Sequence, residues 1–430
     1  MGLKRTGAHL MTTRREFLKT MSVGVIGLSP ALFPRWTPRM AFAPSSQVAG
    51  QRDILVSIFL RGGMDGLSAV IPFGEGGRYY DRRPSIAIRE PGAGAGAAVD
   101  LDGFFGLHPS LAPLKDVWDA GALTILHAAG SPDPSRSHFD AMGTMERGTP
   151  GIKTTPSGWI NRHLQTAAWQ NDSPFRAIGM GAMLQSSLRG PVSTFSLSSI
   201  TDFHLNGRED QAAAMAATLS SLYQIAAPTQ AIHQHAASVF ASMDVLNQLN
   251  PDQYQPANGA AYPDSEFGEA LKQVALLIKS DLGLEVACVD LGGWDTHEGQ
   301  GAADGWFAGL VDDLGRGLQA FYTDLYDLMA NITVVTMSEF GRRLEENASG
   351  GTDHGHGNVM FVMGGGAVST VYADWPTLAS DALDDGDLAV TTDYRDILSE
   401  ILVNRLGSDQ IETVFPGHLA TLPGLIQPRG

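Results

Sequence analysis

Five short apolar runs punctuate the chain: Asp53–Leu60 (DILVSIFL), Ala122–Ala128 (ALTILHA), Leu284–Leu291 (LEVACVDL), Ile332–Met337 (ITVVTM) and Val359–Met363 (VMFVM). None alternates apolar with polar residues, as a strand with one wet face would. Most are rich in β-branched residues and stop close to glycine, so they predict strands buried on both faces. Between them apolar residues recur at helical spacing, over Pro109–Ala120, Gln211–Leu249, Glu266–Leu282 and Ala302–Ala330. A further helix is expected over Asp393–Leu406, opening on an acidic cap and ending at Gly407. Strands alternating with helices predict an α/β fold: a doubly wound, mostly parallel sheet with helices on both faces. Residues 150–265 carry no strong strand signal and are expected to form a largely helical insertion within one domain spanning 44–430.

Composition narrows the functions open to such a fold. The chain has 430 residues, with 29 basic against 46 acidic, a formal charge of −17. That balance disfavours binding to a nucleic-acid backbone or an anionic lipid surface. It leaves room for a small anionic substrate, because a local pair of arginines outweighs a distant field. Cys288 is the single cysteine, so no intramolecular disulfide forms and no cysteine cluster is present. With no haem-attachment motif and no Gly-x-Gly-x-x-Gly after the first strand, nothing supports a redox protein.

The first 43 residues read as an address. Thr13-Arg-Arg-Glu-Phe-Leu-Lys19 precedes a moderately apolar run, Met21–Phe33, and Ala41-Phe-Ala43 supplies the small residues a signal peptidase reads. The apolar run is too short to span a membrane as a helix. The paired arginines resemble the twin-arginine signal, which implies export of a folded chain through that machinery and a periplasmic or other extracytoplasmic location.

In open α/β sheets, ligands bind beyond the carboxyl ends of the strands. Polar residues gather there. Asp65 follows the first run, Ser135-Arg-Ser-His138 the second, Asp295 and His297 the third, and Glu339 and Arg342 the fourth; Asp353-His-Gly-His356 precedes the fifth. Asp and His are ligands for zinc, manganese or iron, and flanking glycine lets the backbone bend a ligand toward an ion. Asp295 and His297 are two apart, so in an extended turn both point the same way; an Asx turn over Trp294 explains the pair equally well. Asp65 taken alone is a turn carboxylate, and its place after the first strand favours a site role. Ser137 heads an expected helix, Phe139–Arg147, where a hydroxyl serves as a cap or as a nucleophile beside N–H groups that stabilise negative charge. Arg61, Arg136 and Arg342 either clamp an oxyanion or form surface ion pairs. His233 and His235 do not share a helix face and read as structural.

Taken together, Leu60–Ser68 (LRGGMDGLS), Ser135–Met142 (SRSHFDAM), Gly292–His297 (GGWDTH), Ser338–Arg342 (SEFGR) and Thr352–Gly357 (TDHGHG) resemble the DUF1501 family of exported bacterial proteins. That family in turn looks like a distant member of the alkaline phosphatase and sulfatase superfamily. The resemblance implies one or two divalent ions (zinc, manganese, calcium or iron) and hydrolysis of a phosphate or sulfate ester. It implies Ser137 as nucleophile, Arg61 and Arg342 on the ester oxygens, and metal ligands drawn from Asp65, Asp295, His297, Glu339, Asp353, His354 and His356. Two departures stand out. The strand Ile332–Met337 ends in Ser-Glu-Phe-Gly where the superfamily has Asp-His, so either Glu339 substitutes for a ligand or the later Asp353–His356 cluster reaches back. No cysteine lies near the nucleophile position, which does not support formylglycine chemistry. The alternative is an inactive envelope protein of the same fold that binds a partner or glycan.

Overall fold

The computed structural model describes residues 53–167, 171, 173–181, 183–201 and 251–429, with isolated positions 218, 242, 245, 246 and 249. The expected signal segment, most of Gln211–Leu249, and His233 and His235 lie outside the described residues.

The main sheet has nine strands: β1 (Ile54–Leu60), β2 (Leu123–Gly130), β3 (Ala177–Met180), β4 (Phe195–Leu197), β5 (Val286–Leu291), β6 (Ile332–Met337), β7 (Asn358–Gly364), β8 (Thr370–Tyr372) and β9 (Thr392–Asp393). Their order is β8-β2-β7-β6-β1-β5-β3-β4, with β9 also on β2. All pairings are parallel except those of β7, which runs antiparallel to β2 and β6. The five apolar runs therefore form strands at the heart of the sheet.

Strand β1 shows why they carry no polar alternation. Val56, Ile58 and Leu60 pack into one apolar cluster, while Leu55 and Phe59 pack into another on the opposite face. The first cluster is closed by α3 (Glu266–Lys279) and α4 (Trp306–Asp324), through Leu271, Val274, Val311 and Phe321. The second is closed by α2 (Trp159–Thr166) and α5 (Tyr394–Asn404), through Trp159, Leu164, Ile397 and Ile401. Helices thus cover both faces, and a side chain on either side of a central strand meets apolar neighbours. Asp393 caps α5, accepting from the Arg395 N–H.

The segment read as a helical insertion is corrected in part. It does contain α2, but it also supplies β3 and β4 at the sheet edge. These strands have four and three residues, too short to show a period. Among the described residues, no helix is long and apolar enough to cross a membrane.

The reversal of β7 positions the site. Asn358, its first residue, pairs with Ala129 near the carboxyl end of β2. Residues just before β7 are therefore delivered to the edge where its neighbours end. A short antiparallel hairpin, Arg342–Glu346 with Thr352–His354, carries the chain from β6 to that point and pairs Arg342 with His354.

Candidate metal centre

Three imidazoles and one carboxylate meet at this edge. Asp295 Oδ1 lies 3.3 Å from His138 Nε2, 3.1 Å from His297 Nε2 and 3.3 Å from His354 Nε2. His297 Nε2 and His354 Nε2 stand 2.9 Å apart. Ligand atoms of His138, Asp295 and His354 all fall within 4.8 Å of one another.

Each histidine is held from behind through its other nitrogen. His138 Nδ1 donates to Glu339 Oε1 at 2.7 Å, and His354 Nδ1 donates to the Arg136 carbonyl at 2.7 Å. His297 Nδ1 faces Asp353 Oδ1 at 3.3 Å. An oxygen acceptor behind Nδ1 fixes the proton there and leaves the Nε2 lone pair aimed at the common point. This is the arrangement by which proteins orient imidazole ligands. The Glu339 bond raises the His138 pKa above the ordinary imidazole value, so Nε2 becomes a stronger base and donor. Burial lowers that of His354 and keeps it neutral. Phe340 packs with its ring centroid 4.8 Å from each of the His138 and His354 rings, fixing both planes.

The donor set fits a metal ion. Bonds of about 2.0–2.2 Å to nitrogen and oxygen put neighbouring ligand atoms roughly 3 Å apart, close to the four separations given above; the group that closes within 4.8 Å is His138, Asp295 and His354, with His297 Nε2 set against Asp295 and His354. Two imidazole lone pairs directed at each other across 2.9 Å repel unless a proton or a cation lies between them. His138 Nε2 is buried, near Asp295 but not aligned with it, and has no hydrogen-bond partner. Three nitrogens and one oxygen suit zinc, manganese or iron, whereas calcium takes an oxygen shell.

Local geometry explains how the sequence builds this. In Gly292–His297, Trp294 and Thr296 are buried while Asp295 and His297 face outward, the two-residue alternation expected of an extended turn. Gly62 (φ +124°) lies so close to this turn that a Cβ there would stand 2.7 Å from the Asp295 nitrogen. At Gly351 a Cβ would stand 2.4 Å from the Thr296 carbonyl oxygen, so the two ligand-bearing loops touch backbone to backbone.

The remaining expected residues fall elsewhere. Asp65 is fully buried and not part of the group: Oδ2 accepts from Arg83 Nη1 (2.5 Å), Ser68 Oγ (2.7 Å) and Gln300 Nε2 (2.7 Å). Burial pushes its carboxyl up, but the Arg83 charge and these bonds outweigh that and hold it below the usual value. Glu339 and Asp353 back the histidines, as described. His356 bonds Asp384 Oδ2 (2.6 Å) and the Ser131 carbonyl (2.9 Å), leaving no nitrogen for the centre.

Arg342 is buried, with every arm of its guanidinium engaged. It donates to the carbonyls of Gly62, Gly63, Trp294 and Thr352 and to Asp295 Oδ1 at 2.6 Å. It is a strut for both loops. Burial pushes the Asp295 carboxyl up, but the Arg342 bond prevails and holds it at about 2. Arg61 pairs with Asp290 (2.8 Å) and Glu146 (3.1 Å), and Arg136 with Asp387. Ser137 is exposed at the N-cap of α1 (His138–Arg147), and its side chain makes no capping bond. The sequence placed His138, its neighbour in SRSHFD, among the polar residues of this edge without marking it as a ligand. The signal was present: a histidine in the loop that leaves a central strand at its carboxyl end.

The model of the family described as "Protein of unknown function (DUF1501)" matches residues 118–422. The chain belongs to the DUF1501 family. The match takes in every ligand atom of the centre. No curated protein is similar to this DUF1501 chain in sequence. Among solved structures, it overlaps a lipoteichoic acid synthase from Listeria monocytogenes at 9% identity, covering 80% of this chain and 75% of that one, with a TM-score of 0.33. A sulfatase from Pseudoalteromonas sp. overlaps at 14% identity, 89% and 73% coverage and a TM-score of 0.36. A 2-O GAG sulfatase overlaps at 12% identity, 87% and 74% coverage and a TM-score of 0.32. Overlap at this level assigns no activity to the DUF1501 chain.

Proposed function

We propose that this DUF1501 protein is a metal-dependent hydrolase of phosphate or sulfate esters. The observation that carries the reading is the convergence of three imidazole Nε2 atoms on Asp295 Oδ1, with the exposed Ser137 next to His138 in the chain. His138, His297, His354 and Asp295 would hold one divalent ion, zinc, manganese or iron. Such an ion neutralises charge on a transferred group and lowers the pKa of a nucleophile. The chain's own contribution is Ser137, whose hydroxyl is free of capping duty at the start of a ten-residue helix. The helix N-terminus there favours developing negative charge. Export of the folded chain by the twin-arginine machinery, with signal peptidase cleavage after Ala43, belongs to the same reading and rests on residues 13–43.

One observation favours a second reading. Arg61 and Arg342, expected on the ester oxygens, are both engaged within the protein. A metal-binding protein that holds a partner or glycan without turnover needs no such clamp.

Elemental analysis of the purified protein, beside a panel of chromogenic phosphate and sulfate monoesters, separates these readings. The hydrolase reading expects about one ion per chain, lost in His354→Ala, and turnover lost in Ser137→Ala with the ion retained. A folded, metal-free wild type overturns it. A stoichiometric ion with no turnover across the panel supports the second reading.

A further inference from the structure

Beneath the centre lies a closed polar network that neither the family resemblance nor the ligand set explains. Its middle member is Gln300, fully buried. Gln300 Oε1 accepts from Thr296 Oγ1 at 2.9 Å and from Thr352 Oγ1 at 3.0 Å. Its Nε2 donates to Asp65 Oδ2 at 2.7 Å and to Ser68 Oγ at 3.3 Å. An amide side chain has two acceptor sites and two donor hydrogens, so all four are used. The backbone is committed as well: the Gln300 N–H donates to the Gly350 carbonyl, and its carbonyl accepts from the Phe307 N–H.

The two threonines give this network its meaning. Thr296 lies between Asp295 and His297, and Thr352 lies two residues before His354. One side-chain oxygen therefore joins the two loops that carry three of the four donors. The other end of the same amide is tied to the Asp65–Arg83 pair, both members of which are fully buried. Arg83 in turn holds the carbonyls of Arg343 and Leu344 on the hairpin.

We propose that Gln300 is a positioning residue of the metal centre: it sets the spacing of His297 and His354 by fixing Thr296 and Thr352 to one buried oxygen anchored on Asp65. The inference rests on the metal reading above. Ligand distances in metal sites hold to within about 0.2 Å, and the 2.9 Å gap between the two Nε2 atoms spans separate loops. Freed from Gln300, each threonine hydroxyl rotates to another acceptor, and the loops keep only the Arg342 strut and the Thr352 N–H bond to the Thr296 carbonyl in common.

The test uses the full-length chain loaded with Co(II), whose visible absorption reports ligand geometry. Gln300→Leu is compared with wild type and with Leu318→Ala, a core truncation in α4 that lowers stability without touching the network. The expected result is roughly tenfold weaker Co(II) binding in Gln300→Leu, in line with losses on removing outer-shell partners, together with a shifted visible band. Leu318→Ala keeps the wild-type affinity and band. The double variant Thr296→Val/Thr352→Val removes both bonds to Gln300 Oε1 from the loop side and is expected to weaken Co(II) binding and shift the band as Gln300→Leu does. Wild-type Co(II) affinity and spectrum in a folded Gln300→Leu protein overturn this proposal and leave the metal reading standing. Failure of the wild type to bind Co(II) overturns the metal reading, and this proposal with it.

Discussion

Removing Arg83 tests whether the first-strand carboxylate serves the fold or an ion. Arg83 and Asp65 are both at 0% exposure. In Arg83→Leu, the Asp65 carboxylate keeps Ser68 and Gln300 as donors but loses its counter-charge, and the carbonyls of Arg343 and Leu344 lose their hydrogen-bond donors. Breaking a buried ion pair from one side costs about 3–5 kcal/mol. Asp65→Leu strands a buried guanidinium and costs a similar amount. The double variant removes both charges; Gln300 Nε2 and Ser68 Oγ keep each other, so the carbonyls of Arg343 and Leu344 are the two stranded partners, at about 1–3 kcal/mol each. The singles then sum to about 8 kcal/mol, while the double costs about 4, a coupling of several kcal/mol. Urea titrations followed by far-ultraviolet circular dichroism would show each single moving the midpoint down by on the order of 1 M. Additive singles below about 1 kcal/mol would refute the reasoning. So would an Asp65→Leu protein that loses its ion while keeping its midpoint, since the carboxylate would then serve the metal.

Three further outcomes follow from buried groups. His127 and His163 are buried, and desolvation, joined at His163 by Arg176, pushes both down to about 4. The unfolded chain takes up protons near pH 6.5 and the folded one does not, so their stabilisation is complete above pH 6.5 and is lost as pH falls toward 4. Between pH 7 and 4.5, His127→Gln should lose about 2–3 kcal/mol less than wild type, at about 1.4 kcal/mol per pH unit, in paired urea titrations; equal losses would count against it. Burial pushes the Cys288 thiol far up, so a thiol-reactive dye should label it only after denaturant is added, and prompt labelling of native protein contradicts the structure. Gly62→Ala forces a Cβ against the Asp295 backbone at positive φ; a loss of about 3 kcal/mol with weakened metal binding is expected, and a wild-type melting temperature would show that the loops do not touch there.

The central strands were legible because a run buried on both faces has no polar alternation to confuse, and β6 begins and ends where its apolar run does. Direction was not legible. An apolar run reads the same both ways, so the reversal of β7 is invisible in VMFVM, although it brings His354 to the others. Strands β3 and β4 are too short to carry a period. At the site, Asp295, His297 and His354 were legible from residue type and neighbouring glycine. The expected residues that lie outside the donor group share one cause, which is that partners distant in sequence decide what a charge does. Asp65 meets Arg83, Arg342 meets Gly62 and Asp295, and Glu339 meets His138. Nothing local distinguishes an arginine that clamps substrate from one that props a loop.

The reversed strand also fixes when the centre can exist during folding. His138 meets Glu339 across 201 positions of chain, and His354 meets the Arg136 carbonyl across 218. Strand β1 must pair with β6, Ile54 against Ile332, before the hairpin has a platform. A nascent chain that stops short of His354 lacks a donor, and β7, which pins His354 to the edge, is synthesised later still. Contacts of such long range form late and slowly. An ion held at this centre would therefore enter a finished protein, and its binding energy would hold the native state together without guiding the chain toward it.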